Sequence, residues 1–268
     1  MSTDINGMFK DKVLGHPAGL FVLFFTEMWE RFSYYGMRAL LVMFFTASLL
    51  DGGWGWPREH AYAIFGTYTS LVYLSTLLGG YFADKKIGYR YAVVIGALLM
   101  TLGHGAMAVE TPFFIYLGLT LLVFGSGFFK PNMTSIISEM YKGKDEKKDG
   151  AYTIFYMGVN AGAFLGILLC GYLGEQVGWR WGFGLAGIFM LFGLLQFWFA
   201  QNIFGDIGTK PVKGDSAALE LSADEPKLNP FTSLQLGLIA IAGVLGISWI
   251  FNDPISKISE GAYNLFDF

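Results

Sequence analysis

Long apolar runs separated by short polar turns dominate the chain. Stretches of about 20 mostly apolar residues, the length that spans a bilayer core as a helix, fall near 17–48, 60–83, 91–109, 112–138, 150–173, 180–203 and 231–251. The pattern predicts an all-α membrane protein: a six-helix bundle over 17–203 and a seventh hydrophobic helix over 231–251. Residues 1–16 are polar, and no short apolar core with a small-residue cleavage site follows Lys10 and Lys12. The first run therefore reads as a retained helix behind a cytoplasmic N-terminus. Residues 204–230, rich in Gly, Lys, Asp, Glu, Ser and Pro, read as a cytoplasmic linker. Residues 252–268 read as a short, truncated tail.

Composition agrees with this division. Hydrophobic residues make up 54% of the chain and charged ones only 15%, less charge than a soluble domain of this length carries. The basic residues set an orientation. With seven spans, twelve Lys and Arg fall on the side of the N-terminus and three (Arg58, Arg180 and Lys257) on the other. By the positive-inside rule the N-terminus is cytoplasmic, in the inner membrane of the cell. Cys170 is the single cysteine, which excludes an internal disulfide and a thiolate cluster. His16, His60 and His104 share no ligand spacing, so the expected metal and cofactor content is none.

Arg31, Arg38 and Lys130 lie inside predicted spans, where ionisable groups are costly and mark functional sites. The segment Glu27-Met28-Trp29-Glu30-Arg31-Phe32-Ser33-Tyr34-Tyr35-Gly36 places two carboxylates and a guanidinium together. At about 100° per residue, Glu27, Glu30, Arg31, Tyr34 and Arg38 share one helix stripe. Counting about 1.5 Å per residue from the cytoplasmic helix ends puts Glu27, Lys130, Tyr73 and Asn160 at similar depth, on four different helices. A carboxylate beside a cation stays ionised and takes up a proton once separated from it. Glu27 and Glu30 are thus candidates to carry a proton, with Arg31 and Lys130 as exchangeable partners. Tyr34, Tyr35, Tyr73 and Tyr156 offer pocket walls, whereas Tyr68, on another face of its helix from Tyr73, reads as packing. Pro131, after Lys130, predicts a kink. Gly158, Gly162 and Gly166, every four residues, predict close helix packing.

At these residues the chain resembles the proton-dependent oligopeptide transporter (POT/PTR) family of the major facilitator superfamily, bacterial type. Glu27-x-x-Glu30-Arg31-Phe32-x-Tyr34-Tyr35 is similar to that family's first-helix signature. Gly80 to Arg90 resembles the superfamily motif between the second and third helices. Gly125-Ser126-Gly127-Phe128-Phe129-Lys130-Pro131-Asn132 and Phe155-Tyr156-Met157-Gly158-Val159-Asn160 resemble the fourth- and fifth-helix signatures. The resemblance covers most of 15–203, the N-terminal half, and the run at 231–251 looks like an insertion helix of bacterial members.

That resemblance implies symport of di- and tripeptides with protons by alternating access. It assigns proton coupling to Glu27, Glu30, Arg31 and Lys130. It assigns substrate binding to Tyr34, Tyr35, Arg38, Tyr73, Lys130, Tyr156 and Asn160, and cytoplasmic gating to Gly80, Asp84, Gly88 and Arg90. The implied partners are peptides, protons, the lipid bilayer and a C-terminal six-helix half, without nucleic acid. Gly66 stands where mammalian members have a histidine, which rules out histidine-based coupling at that place. The carboxylate that members use for the peptide amino group belongs to the second half. The alternative is a relative carrying another small solute: nitrate, a modified amino acid or a peptidomimetic. The two first-helix glutamates speak against nitrate. An intramembrane enzyme is not expected, because Ser126, Ser135 and Cys170 have no histidine at helical spacing.

Overall fold

The computed structural model describes residues 12–210 and residue 241. The expected helix at 231–251 and the tail at 252–268 therefore lie outside the described residues, Ile241 alone excepted. Six long helices follow the apolar runs: α1 (Ala18–Thr46), α2 (Arg58–Phe82), α3 (Tyr89–Met107), α4 (Pro112–Met140), α5 (Asp145–Gln176) and α6 (Trp179–Ala200). Five of the six are long and apolar enough to cross a membrane. The sixth, α1, carries Glu27, Glu30, Arg31 and Arg38 and falls outside that count, so its charges need a protein interior around them.

Helix α1 lies against α5 and α6, α4 lies between α2 and α3, and α3 also meets α6. Small residues set the closest crossings. On α4, Gly125 faces the Gly96 carbonyl and Met100 of α3, while Gly127 meets Ser75 and Gly79 of α2. The Ser75 hydroxyl donates to the Val123 carbonyl at 2.7 Å, which ties α2 to α4. Helix α4 runs without a break through Pro131. The proline leaves the carbonyl of Gly127 without its intrahelical amide donor, and that carbonyl lies at the close crossing with Gly79.

At the C-terminal end of α1, the following loop folds back on the last helical turn. The amides of Trp54, Gly55 and Trp56 donate to the carbonyls of Phe44, Ala47 and Phe45 at 3.1, 2.8 and 2.8 Å. Terminal carbonyls that the helix cannot satisfy are thereby paired. Trp54 and Trp56 close over Phe45, with ring centroids 5.1 and 4.9 Å away.

The end of the bundle that carries the start of α1 is more structured than the sequence predicts. Residues 12–17 form a two-stranded hairpin, Lys12–Val13 paired with His16–Pro17. His16 Nδ1 lies 2.6 Å from the Tyr141 hydroxyl at the end of α4. Burial, and then the charge of Lys147, pull the His16 imidazole below its ordinary value of 6.5. A histidine held below its ordinary range favours the docked state when neutral. Its contribution is present above the unfolded-state value and is lost as pH falls through it. Amide hydrogen exchange over 12–17, corrected for intrinsic rates, is therefore expected to accelerate as pH drops below about 6.5, and a His16→Phe variant is expected to lose that dependence.

Candidate functional site

The charged stripe of α1 turns inward. Glu27, Glu30, Arg31 and Tyr34 are buried, Glu30 completely. Arg31 Nε lies 2.8 Å from Glu27 Oε1 and 2.6 Å from Glu30 Oε2. One guanidinium thus bridges two carboxylates in a low-dielectric setting, where loss of any member leaves the rest uncompensated. The spacing makes this possible, because residues three and four apart lie on one helix face.

Lys130 comes to this stripe from α4. Its Nζ sits 4.0 Å from the Tyr34 ring centroid, and it lies within electrostatic reach of Glu30 and Glu27. It points neither to lipid nor away from the acids. Arg38 sits one turn further along, with its guanidinium 5.4, 5.8 and 5.0 Å from the rings of Tyr34, Tyr35 and Phe65. Tyr34 therefore has cations from α1 and α4 against its ring, a geometry worth about 0.5–2 kcal/mol per contact depending on desolvation.

The remaining expected site residues divide. Tyr73 is within electrostatic reach of Tyr34 but is 68% exposed, so its ring lies at the open edge of the cluster. Tyr156 and Asn160 of α5 do not join the cluster. They lie on the helix face opposite the glycine stripe that packs on α1, Tyr156 is 58% exposed, and the Asn160 amide donates to the Tyr156 carbonyl at 2.9 Å. The glycine stripe does pack as expected: Gly158, Gly162 and Gly166 face the carbonyls of Phe24, Met28 and Phe32. Tyr68 packs into the core as expected. It is buried in the core, 3% exposed, yet its hydroxyl lies within electrostatic reach of Tyr34 and Glu30.

The 80–90 segment is a one-turn π-helix (Ala83–Ile87) closed by Gly88 at φ +80°. Gly88 is required there, because a side chain would meet the Thr209 carbonyl. Asp84 is exposed and within electrostatic reach of the Tyr89 hydroxyl. Arg90 is committed elsewhere in the same bundle. Its guanidinium donates to the carbonyls of Gln201 and Gly205 at 2.8 and 2.6 Å, and its amide donates to the Gly208 carbonyl. The Gly208 amide in turn donates to Glu139 Oε2 at 2.9 Å, and Phe204 is fully buried. Residues 201–209, which take in the start of the expected linker at 204, are thus a strap across the ends of α3 and α4. Sequence reasoning missed it because the run of Gly and Asp reads as solvent-exposed loop.

Residues 90–218 match the model of the POT family. A peptide transporter of Yersinia enterocolitica, YePEPT, is 44% identical over 200 residues, which are 74% of this chain and 39% of that protein. The chain carries a POT family domain. A di-/tripeptide transporter of Lactococcus lactis subsp. cremoris is 41% identical over 203 residues, 74% of this chain and 40% of its own length. Among solved structures, a peptide transporter POT in complex with sulfate superposes with a TM-score of 0.74 at 36% identity, covering 98% of this chain and 52% of that one. A POT family transporter in complex with 5-aminolevulinic acid superposes at 0.73 with 29% identity, covering 97% of this chain and 50% of that one. The chain spans about two fifths of the curated relatives' length and about half of the solved chains. Its apolar helices and its family make it a multi-pass membrane protein of a transporter family.

Proposed function

We propose that this chain supplies the first six-helix bundle of a proton-coupled symporter that imports di- and tripeptides by alternating access. The observation that carries the reading is the Arg31 bridge between Glu27 and Glu30, with Lys130 brought from α4 onto the adjoining Tyr34 ring. Four ionisable groups at one site can exchange partners. An anionic peptide terminus drawn to Lys130 or Arg38 competes with the carboxylates for positive charge, and a carboxylate that loses its cation binds a proton. Protonation and peptide binding are thereby linked through shared partners.

Tyr34, Tyr35 and Tyr73 form the pocket wall in this reading, and Lys130 and Arg38 meet the peptide carboxylate. Tyr156 and Asn160 contact the peptide from α5, across an opening shared with a second six-helix half. Support for that partner comes from α2 and α5, the helices that the bundle covers least. Leu74, Leu77 and Leu78 on α2, and Met157, Phe164 and Leu168 on α5, are exposed. Gly80, Asp84, Gly88 and Arg90 form the cytoplasmic gate region, with Arg90 acting through the 201–209 strap. The N-terminus is cytoplasmic and the membrane is the inner membrane.

The full-length protein in liposomes, with an inward proton gradient, is expected to accumulate labelled dialanine. A protonophore is expected to collapse that accumulation, and Glu30→Gln to abolish it. Accumulation of a single amino acid derivative or nitrate, with no di- or tripeptide, favours the alternative substrate.

A further inference from the structure

Within the charged site, both Glu30 oxygens, Arg31 Nε and the Tyr68 hydroxyl are buried without a hydrogen bond among the described residues, and of these Glu30 Oε2 and Arg31 Nε face each other as an ion pair at 2.6 Å. Glu30 is completely buried, and its Oε1 has no hydrogen-bond partner among the described residues. Tyr68 enters from α2 with its hydroxyl buried and also without a partner among them. The two groups are within electrostatic reach of each other. Both are costly as they stand, since an unmade hydrogen bond on a buried polar group forfeits its desolvation. A phenylalanine would fill the same core position without that cost. The Tyr68 ring also lines an apolar groove of about 400 Å³ between α2 and α4, so the residue stands between that groove and the charges.

We infer that Tyr68 is a positioning residue for Glu30, its hydroxyl being the donor that engages the carboxylate when Arg31 shifts toward another partner. This rests on the symporter reading. With Arg31 bridging, Glu30 is held through Oε2 and Tyr68 waits. When Arg31 turns to Glu27 or to a peptide carboxylate, Tyr68 supplies one hydrogen bond to an otherwise unpartnered anion. The hydroxyl keeps its own proton and holds the carboxylate in place to receive one from the transport pathway. Arg31 contacts Glu30 directly, Glu27 and Tyr34 from α1, Tyr68 from α2 and Lys130 from α4 are within electrostatic reach of it, and Arg38 and Tyr73 adjoin the set through Tyr34. Among the tyrosines of this set, Tyr68 is the one with an unpartnered buried hydroxyl.

The deciding experiment is Tyr68→Phe in the full-length protein, reconstituted beside wild type. The maximal rate of proton-driven dipeptide uptake is expected to fall about tenfold, the size of a lost hydrogen bond to a charged group, with little change in KM. The pH of half-maximal uptake is expected to move to more alkaline values, because the anion has lost a stabilising donor. An unshifted pH profile, with or without a slower rate, overturns the assignment and leaves Tyr68 as packing. If the variant is not recovered folded, Tyr68→Met, which also lacks the hydroxyl, is read by the same pH profile: an alkaline shift supports the inference and an unshifted profile overturns it. Absence of dipeptide uptake by wild type is a different failure, that of the symporter reading.

Discussion

Arg31→Met is expected to cost the folded protein about 3–5 kcal/mol, the usual penalty for removing one partner of a buried ion cluster. The size follows from the geometry: one guanidinium serves both Glu27 and Glu30 at 2.8 and 2.6 Å, and both acids are buried. Without it two carboxylates share a low-dielectric site as unpaired like charges. The measurement is the melting temperature of purified full-length protein in detergent. A charge-neutral triple variant, Arg31→Met with Glu27→Gln and Glu30→Gln, is expected to recover most of the loss while remaining unable to couple protons, because neutralising a whole buried ion set is far less costly than breaking it. Wild-type melting of Arg31→Met alone, or failure of the triple variant to recover, contradicts a site held by ion pairing.

The charge cluster itself is legible from position and period. Glu27, Glu30, Arg31 and Tyr34 stand three and four residues apart in an apolar run, and burial follows from that spacing. Counting residues from the helix ends puts Lys130 at their level, and it meets Tyr34. Depth alone fails for Asn160. Level says nothing about direction, and the α5 glycine period that turns Gly158 and Gly162 toward α1 turns Asn160 and Tyr156 away.

Helix bounds agree to within two or three residues except at the start of α5, expected at 150 and found at Asp145. Hydropathy is blind to a polar first turn, yet Asp145 and Glu146 suit a helix N-terminus through the macrodipole. Tyr68 is legible in principle, since it shares the buried α2 stripe with Ala61, Val72, Ser75 and Gly79. What the sequence could not show is that its hydroxyl lies within electrostatic reach of Glu30, which depends on the tilt of α2 against α1. The 201–209 strap is of the same kind: its bonds to Arg90 and Glu139 join residues far apart in the chain and have no local signature.

The site's geometry depends on how closely α5 approaches α1, and that distance is set where α5 has no side chain. A Cβ at Gly162 would run into the Met28 carbonyl and come within 2.9 Å of the Arg31 Cβ. Backbone cannot yield as a flexible side chain can, so Gly162→Leu has to push the two helices apart beside the guanidinium that holds Glu27 and Glu30. Overpacking costs of about 1–3 kcal/mol then add to a displaced ion cluster. Gly171 lies on the same helix with nothing within 4 Å of its Cβ position, so Gly171→Leu isolates the effect of introducing leucine into α5. Gly162→Leu is expected to lower the melting temperature and remove dipeptide uptake, and Gly171→Leu to stay within about 0.5 kcal/mol of wild type. Equal behaviour of the two variants would mean that the α1–α5 crossing is loose, and that Arg31 is positioned by something other than this contact.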